Sequence, residues 1–455
     1  MREIARVAPE LGEEQAELAW GLASGCGAPT REAAQALLDL LAEFERLQGR
    51  DKQVREAVAR VLVRARLFRD AVSLLGRGRG RRLRVNNSLR VSVVSPEPTP
   101  YRAPLFDRIA SHPGIDLKVI YAAHSVAHRA WTVEPHHRHI FLRGVDVPGA
   151  EQVLRHQYPV TPGIARELRN AQPDVVVVSG WSTFASQRAI AWCRTHHVPY
   201  VLLVESHDLD PRSAWRSAIK GAVVPRLVRS AANVLAVGSA ARESVVARGA
   251  TSVRLFANTI DVPEWNRRAD QLKRRRADED LLVLSVARLV PEKGLDDLLR
   301  AVAEAGNSRL RLVAVGEGPE RDALVELARE LDVRLTLRGH VAEAELAQMY
   351  VDADVFALLS RHEPWGVAVN EAAASGLPLV ASEAAGGGYD LIEDGVNGYR
   401  VPVDDAPALA EALTRVAVDP EWRLRAGERS RELTAGYTGD AWAAAVADLV
   451  RLFLD

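Results

Sequence analysis

The chain is short of cysteine, of lysine and of net charge, and each shortage closes off a class of function. Cys26 and Cys193 are the only two cysteines in 455 residues, too few for a disulfide framework or a thiolate zinc site. Both read as small buried hydrophobes. Basic and acidic residues number 59 and 60, a formal net charge of -1, so no global field draws the protein toward nucleic acid or an anionic membrane. Any anion it binds must be gripped locally. Lysine supplies only Lys52, Lys118, Lys220, Lys273 and Lys293, which makes each lysine more informative than an arginine. No stretch reaches the ~18 apolar residues that span a bilayer, and the first residues lack the basic-then-apolar pattern of a signal peptide. A reducing, cytoplasmic setting is expected.

What is present is a globular composition, 47% hydrophobic and 26% charged, in a chain too long for one core. Residues 1–87 read as a helical extension: Ala36, Leu37, Leu40, Leu41 and Phe44 recur at helical spacing, with glycine breaks near residues 25–27 and 49. The extension ends in Arg77, Arg79, Arg81, Arg82 and Arg84 interleaved with Gly78 and Gly80, a linker or a basic patch for peripheral membrane contact through 77–84.

From residue 89 the pattern changes to short β-branched strands alternating with helices. Strands are expected at 89–94, 117–121, 175–179, 200–204 and 233–237, with helices at 106–110, 162–170 and 186–196. A charged run over 266–280 reads as a linker. A second set of strands follows at 281–286, 310–315, 335–338, 355–359 and 377–381, with helices at 295–305, 320–331 and 342–350. Near-continuous apolar strands with intervening helices predict two parallel, Rossmann-like α/β domains, 88–265 and 279–435, and the carboxyl ends of such strands form ligand clefts. Residues 436–455 read as a last helix packing back on the first domain.

The chemistry concentrates after the strand at 355–359. Glu363 precedes Pro364, which favours an extended residue just before a helix start. Glu371 then lies inside the helix at 367–375, and the unpaired amides of Gly366 and Val367 fall between the two carboxylates. Helix-start amides bind phosphate, and a carboxylate accepts hydrogen bonds from a diol, so the layout suits a diphosphate flanked by two sugars. Upstream, Arg288 follows the strand at 281–286 and Lys293 precedes the next helix. A guanidinium fork and a point charge there suit a diphosphate and the charge that grows on it as it leaves. Gly386, Gly387 and Gly388 let backbone approach a ligand closely.

Taken together, 285–294 (SVARLVPEKG), 315–321 (VGEGPER), 363–371 (EPWGVAVNE) and 386–398 (GGGYDLIEDGVNG) resemble the retaining glycosyltransferases of family 4, which have the GT-B fold. The resemblance is specific over 285–403, weaker over 89–261, and leaves 1–87 outside it. It implies two Rossmann-like domains facing across a cleft, the first for the acceptor and the second for the donor. It implies that Arg288 and Lys293 bind the donor diphosphate, Glu371 the ribose hydroxyls, and that Glu363 faces the transferred sugar. It further implies that Gly366 and Val367 offer amides to the donor and that the loops near Gly316 and Gly339 border the nucleobase. His207 and Asp208, after the strand at 200–204, are similar to the family's His-Asp pair beside the reacting sugar, with Asp208 orienting His207.

The resemblance also implies a nucleoside-diphosphate sugar as co-substrate with no cofactor, a glycan, lipid-linked or small-molecule hydroxyl acceptor, and work in cell-envelope or exopolysaccharide synthesis. Two rivals stay open: an epimerase or hydrolase of sugar nucleotides on the same fold, and a non-catalytic nucleotide-sugar-binding scaffold. Two departures stand out. Residues 95–102 (SPEPTPYR) replace the family's usual Gly-Gly after the first strand, and Tyr389-Asp390 stand where Pro-Glu is commoner. Asp-x-Asp pairs at Asp208/Asp210 and Asp352/Asp354 fit a short cation-binding pattern, but with Arg288 and Lys293 at hand no metal is expected.

Overall fold

A computed structural model of the chain describes residues 88–125, 133–146, 158–208, 214–256, 258–275 and 280–453. The helices expected within 1–87 and the arginine cluster at 77–84 lie outside the described residues.

The first half comprises β1 (Leu89–Ser95), α1 (Ala103–Ala110), β2 (Ile115–Tyr121), β3 (His139–Phe141), α2 (Ile164–Ala171), β4 (Val175–Ser179), α3 (Phe184–His196), β5 (Tyr200–Val204), α4 (Ala214–Ser230), β6 (Asn233–Val237), α5 (Gly238–Ala247), β7 (Val253–Phe256) and α6 (Val262–Gln271). Its strands pair in parallel in the order β3-β2-β1-β4-β5-β6-β7. Every residue of β4, β5 and β6 is buried, as the runs Val175 to Val178 and Val201 to Val204 require of strands covered by helices on both faces.

The second half comprises β8 (Leu281–Val286), a 3-10 turn (Pro291–Lys293), α7 (Leu295–Glu304), β9 (Leu310–Val315), α8 (Arg321–Glu330), β10 (Leu335–Leu337), α9 (Glu343–Asp352), β11 (Val355–Leu358), α10 (Val367–Ala374), β12 (Leu379–Ser382), α11 (Gly388–Leu391), β13 (Gly398–Val401), α12 (Ala406–Val418), α13 (Pro420–Thr434) and α14 (Gly439–Arg451). Its strands, again parallel, run β10-β9-β8-β11-β12-β13. In each sheet the order reverses once, at β1/β4 and at β8/β11, and a ligand crevice opens at the carboxyl ends of such strand pairs.

The charged run at 266–280 is not simply a linker. Its first third completes α6, whose start is capped by the Asp261 carboxylate accepting the Glu264 amide at 3.2 Å. Trp265 and Ala269 are buried while Arg267 and Arg268 pair with Glu264 on the outer side. Arg267, Arg268 and Asp270 form the outer face of an amphipathic helix, and Lys273 to Arg275 follow its end. The edge strands β3, β7 and β13 are three or four residues long and only partly buried, so they lack the continuous apolar run that marks the inner strands.

The last helix, although it follows the second half in the chain, packs on the first half. Thr438 caps it, its hydroxyl accepting the Ala441 amide at 3.1 Å. Trp442 enters the core with its ring 6.1 Å from Phe106 of α1 and 5.7 Å from Phe256 of β7. Arg108 of α1 closes the outside of the seam, bonding Asp440 at 2.9 Å.

Candidate functional site

Three loops of the second half meet at the β8/β11 crevice. The loop after β8 carries Arg288, which is exposed and makes no side-chain hydrogen bond or ion pair among the described residues. Gly294, at φ +61°, ends the 3-10 turn; a Cβ there would stand 2.2 Å from the Leu359 carbonyl, so the chain passes directly over the end of β11. That crossing brings Lys293 to Glu363, and the two side chains form an ion pair, both largely buried. The loop after β9 braces this one. Gly316, at φ +142°, leaves no room for a Cβ against the Ala287 carbonyl, and its amide donates to Gly339 at 2.9 Å.

The loop after β11 turns into α10 at Gly366, whose φ of +91° is a left-handed conformation that suits glycine. Among the described residues the amides of Gly366 and Val367 are not taken by a protein acceptor. Beneath them Trp365 is buried, its indole N–H donating to Asn370 at 2.7 Å. Glu371 lies one turn further along α10. Burial pushes its carboxyl up to about 7, against the opposing effect of the Tyr350 hydroxyl, which donates to Glu371 Oε2 at 2.7 Å.

The glycine triplet approaches protein rather than open space. Gly386 and Gly387 donate their amides to the carbonyls of Glu363 and Trp365 at 3.0 and 2.8 Å. A Cβ on Gly386 would meet the Pro364 carbonyl at 2.2 Å. The triplet thus clamps the loop that holds Glu363, and its glycines are set by this backbone-to-backbone approach.

The first half reaches the same loop. His207 is fully buried and its Nε2–H donates to the Glu363 carbonyl at 2.9 Å, so the imidazole holds the loop's backbone. At Asp208, Ser244 donates to the carboxylate at 2.8 Å and Arg248 pairs with it, both from the region of α5. These bonds anchor the β5 loop on α5. At the start of α5, Asp390 accepts the Ser239 amide at 2.9 Å and the Ser239 hydroxyl at 2.7 Å, a carboxylate capping a helix N-terminus across the cleft.

The segment 95–102 makes a buried polar cluster in place of a glycine pair. Glu97 accepts the Tyr158 hydroxyl at 3.1 Å. Arg102 pairs with Glu205 and donates to Asn258 at 2.8 Å. Of the Asp-x-Asp pairs, Asp210 lies outside the described residues. Asp352 and Asp354 are spent on structure, accepting the Arg275 amide at 2.8 Å and the Leu282 amide at 2.7 Å. Among the described residues no group of three or more His, Cys, Asp or Glu is arranged to hold a metal ion.

Sequence reasoning missed Tyr350 and the Gly238-Ser239 start of α5. Ser239 could have been found, since it follows β6 at the carboxyl edge where ligands and caps gather. Tyr350 could not, because only the packing of α9 brings it to Glu371.

Comparison with known proteins agrees with this architecture. Residues 85–259 match the family described as glycosyl transferase 4-like domain, and residues 266–433 match glycosyl transferases group 1. The glycogen synthase of Mycobacterium tuberculosis is 29% identical over 293 residues, 62% of this chain and 69% of the relative. A GDP-mannose-dependent alpha-mannosyltransferase of the same organism is 32% identical over 253 residues, 53% of this chain and 63% of the relative. The fold matches that of Anabaena HepE, solved in complex with UDP and glucose, with a TM-score of 0.62 at 19% identity, covering 80% of this chain and 100% of that one. With both halves matched in order and a pair of parallel sheets to carry them, the chain belongs to the family 4 type of glycosyltransferases with the GT-B fold.

Proposed function

We propose that the protein transfers a sugar from a nucleoside-diphosphate donor to a hydroxyl acceptor with retention of configuration and without a metal ion. The observation that carries this is the pairing of two cations, Arg288 and Lys293, with the free amides of Gly366 and Val367 between two glutamates. In this reading Arg288 and those amides hold the diphosphate, and Lys293 leaves Glu363 for the phosphate as the donor enters. Glu371 accepts the ribose hydroxyls, Glu363 faces the transferred sugar, and the Gly316 loop borders the base. His207 fixes the Glu363 loop and stands beside the sugar.

The donor's anomeric carbon–oxygen bond breaks while the acceptor oxygen bonds to the same carbon on the same face, and the acceptor proton passes to the departing phosphate oxygen. The protein contributes orientation and cationic stabilisation of the leaving diphosphate. The mannosyltransferase relative named for GDP-mannose and the Anabaena structure holding UDP support a nucleotide-sugar donor. Glycan assembly at the cytoplasmic side of a membrane is the setting this reading favours, with residues 77–84 as the contact. Among the described residues no helix is long and apolar enough to cross a membrane.

The test is thermal stabilisation by UDP-, GDP-, ADP- and dTDP-sugars in EDTA and in Mg²⁺. One nucleotide at a hundred times its Kd adds about 2.7 kcal/mol of stability. The Arg288→Ala, Lys293→Ala double variant is expected to lose that gain. If no donor raises the parent's Tm in either buffer, the reading fails; turnover without acceptor favours the hydrolase rival, and an inverted anomer in the product removes retention.

A further inference from the structure

We infer that Tyr350 is a positioning residue for Glu371: its hydroxyl fixes one carboxylate oxygen, leaving the other turned to accept the diol of the donor's ribose. The inference rests on the reading of Glu371 as the ribose acceptor and names what holds that acceptor in place.

The geometry is specific. Tyr350 is wholly buried on α9, with its ring 5.6 Å from Trp265 of α6 in an edge contact and 5.9 Å from Phe356 of β11. Packing on two sides leaves the phenol one orientation, and its Oη sits 2.7 Å from Glu371 Oε2, with the Ala368 carbonyl more distant at 3.5 Å. A phenol has a single proton to give. Here the hydroxyl donates its hydrogen bond to the carboxylate, and burial together with the Glu371 charge raises the Tyr350 pKa well above its ordinary value, so the proton stays on the phenol. Oε2 is thereby occupied and Oε1 remains for a ligand.

The bond also sets the charge. Desolvation favours the protonated carboxyl, and Tyr350 favours the carboxylate. A protonated carboxyl is a poorer acceptor for two hydroxyls than a carboxylate. The other charged groups around α10 do not replace the phenol. Glu343 of α9 raises the Glu371 pKa further and is itself held by Arg268 of α6, beside Glu264. Arg431 of α13 pairs with Asp270 and reaches only the Ser375 carbonyl, and Asp390 of α11 is bound to Ser239. Among the described residues Tyr350 alone donates to the Glu371 carboxylate.

Removing the hydroxyl moves the balance in a known direction. In Tyr350→Phe the charged form loses its donor, the Glu371 pKa rises, and ribose binding weakens most where protonation competes. The experiment measures Kd by calorimetry from pH 6 to 9 for UDP, GDP and ADP, for the 2′-deoxy form of the tightest binder, and for inorganic pyrophosphate. The parent, Tyr350→Phe and Glu371→Gln are compared.

The parent is expected to show an acid limb near pH 7 and to prefer ribose over deoxyribose. In Tyr350→Phe that limb moves up by about one pH unit, the loss at pH 7 is about tenfold, and pyrophosphate binding is unchanged. Loss of packing alone would weaken all ligands at every pH. An unmoved limb with undiminished ribose preference in Tyr350→Phe overturns the positioning role while leaving Glu371 in place. A Glu371→Gln variant that keeps the parent's limb and preference overturns the ribose assignment and this inference with it, and a parent that binds no nucleotide overturns the donor site as a whole. If Tyr350→Phe does not fold, the parent and Glu371→Gln profiles still decide: the inference requires an acid limb in the parent that Glu371→Gln abolishes.

Discussion

Gly238→Ala should separate the two halves of the site without damaging the core of either. Gly238 opens α5 at φ +74°, and a Cβ there would lie 2.4 Å from the Trp365 ring and 2.5 Å from Asp390 Oδ2. Alanine in the left-handed region costs about 1 to 2 kcal/mol. The new methyl must also gain more than about 1 Å from its neighbours to reach ordinary contact distance. Trp365 is buried and tied to Asn370, so the start of α5 must back away from it, and with it from Asp390. Its two bonds to Ser239, at 2.9 and 2.7 Å, are then lost. A hydrogen bond to a charged group contributes about 1.5 to 3 kcal/mol, so the two bonds cost about 3 to 6 kcal/mol beside the backbone strain. Each 1.4 kcal/mol is tenfold in an equilibrium, so closure becomes at least a hundredfold less favourable. The assay is kcat/KM for transfer beside thermal unfolding, with Ser239→Ala as a milder partner that keeps the main-chain bond. Transfer should fall by two orders of magnitude or more while each half retains its helical and sheet signal. A Gly238→Ala enzyme within threefold of the parent, at parental Tm, would refute a role for the Asp390–Ser239 bonds in transfer.

Two further outcomes follow from the packing. His137 is buried, with its ring between Asp107 at 2.6 Å and the Tyr121 hydroxyl at 3.0 Å, and burial lowers its pKa despite the pull of Asp107. A depressed folded pKa stabilises above the unfolded value of about 6.5 and loses that contribution as pH falls, so an NMR titration should find the ring neutral at pH 6.5; a midpoint at the ordinary value would contradict it. Trp442→Ala removes the aromatic plug between Phe106 and Phe256 and should cost about 3 to 5 kcal/mol in urea unfolding, and a loss below 1 kcal/mol would mean that α14 is not docked in solution.

Much of the fold is legible because its inner strands are unambiguous. Val175 to Val178 and Leu281 to Val286 can be buried on both faces and nothing else, and their spacing sets the helices between them. The edges are less so: the VRLF of β7 carries its charge at an exposed position and the GYRV of β13 at a half-buried one, and both pair only because a neighbour offers a partner. The site divides in the same way. Arg288, Lys293, Glu363 and the Gly366 turn lie near strand ends and helix starts, where chain position alone puts them in a crevice. The occupation of each group needs coordinates. Lys293 on Glu363, Asp208 on Arg248, and Asp390 on Ser239 each join residues separated by many positions, and no local pattern encodes such pairings.

The return of α14 to the first half ties the order of synthesis to the order of folding. Arg108 and Asp440 touch although 332 positions apart, and the seam they close is lined by Phe106 and Phe256. On the ribosome those aromatic rings emerge early and wait, uncovered, until residues 439–451 have been made. The second half, whose strands and helices are contiguous, can meanwhile fold to completion. A nascent chain cut short before residue 439 would carry a finished second half attached to a first half with an open apolar seam. Such a product is a natural substrate for chaperones and proteases.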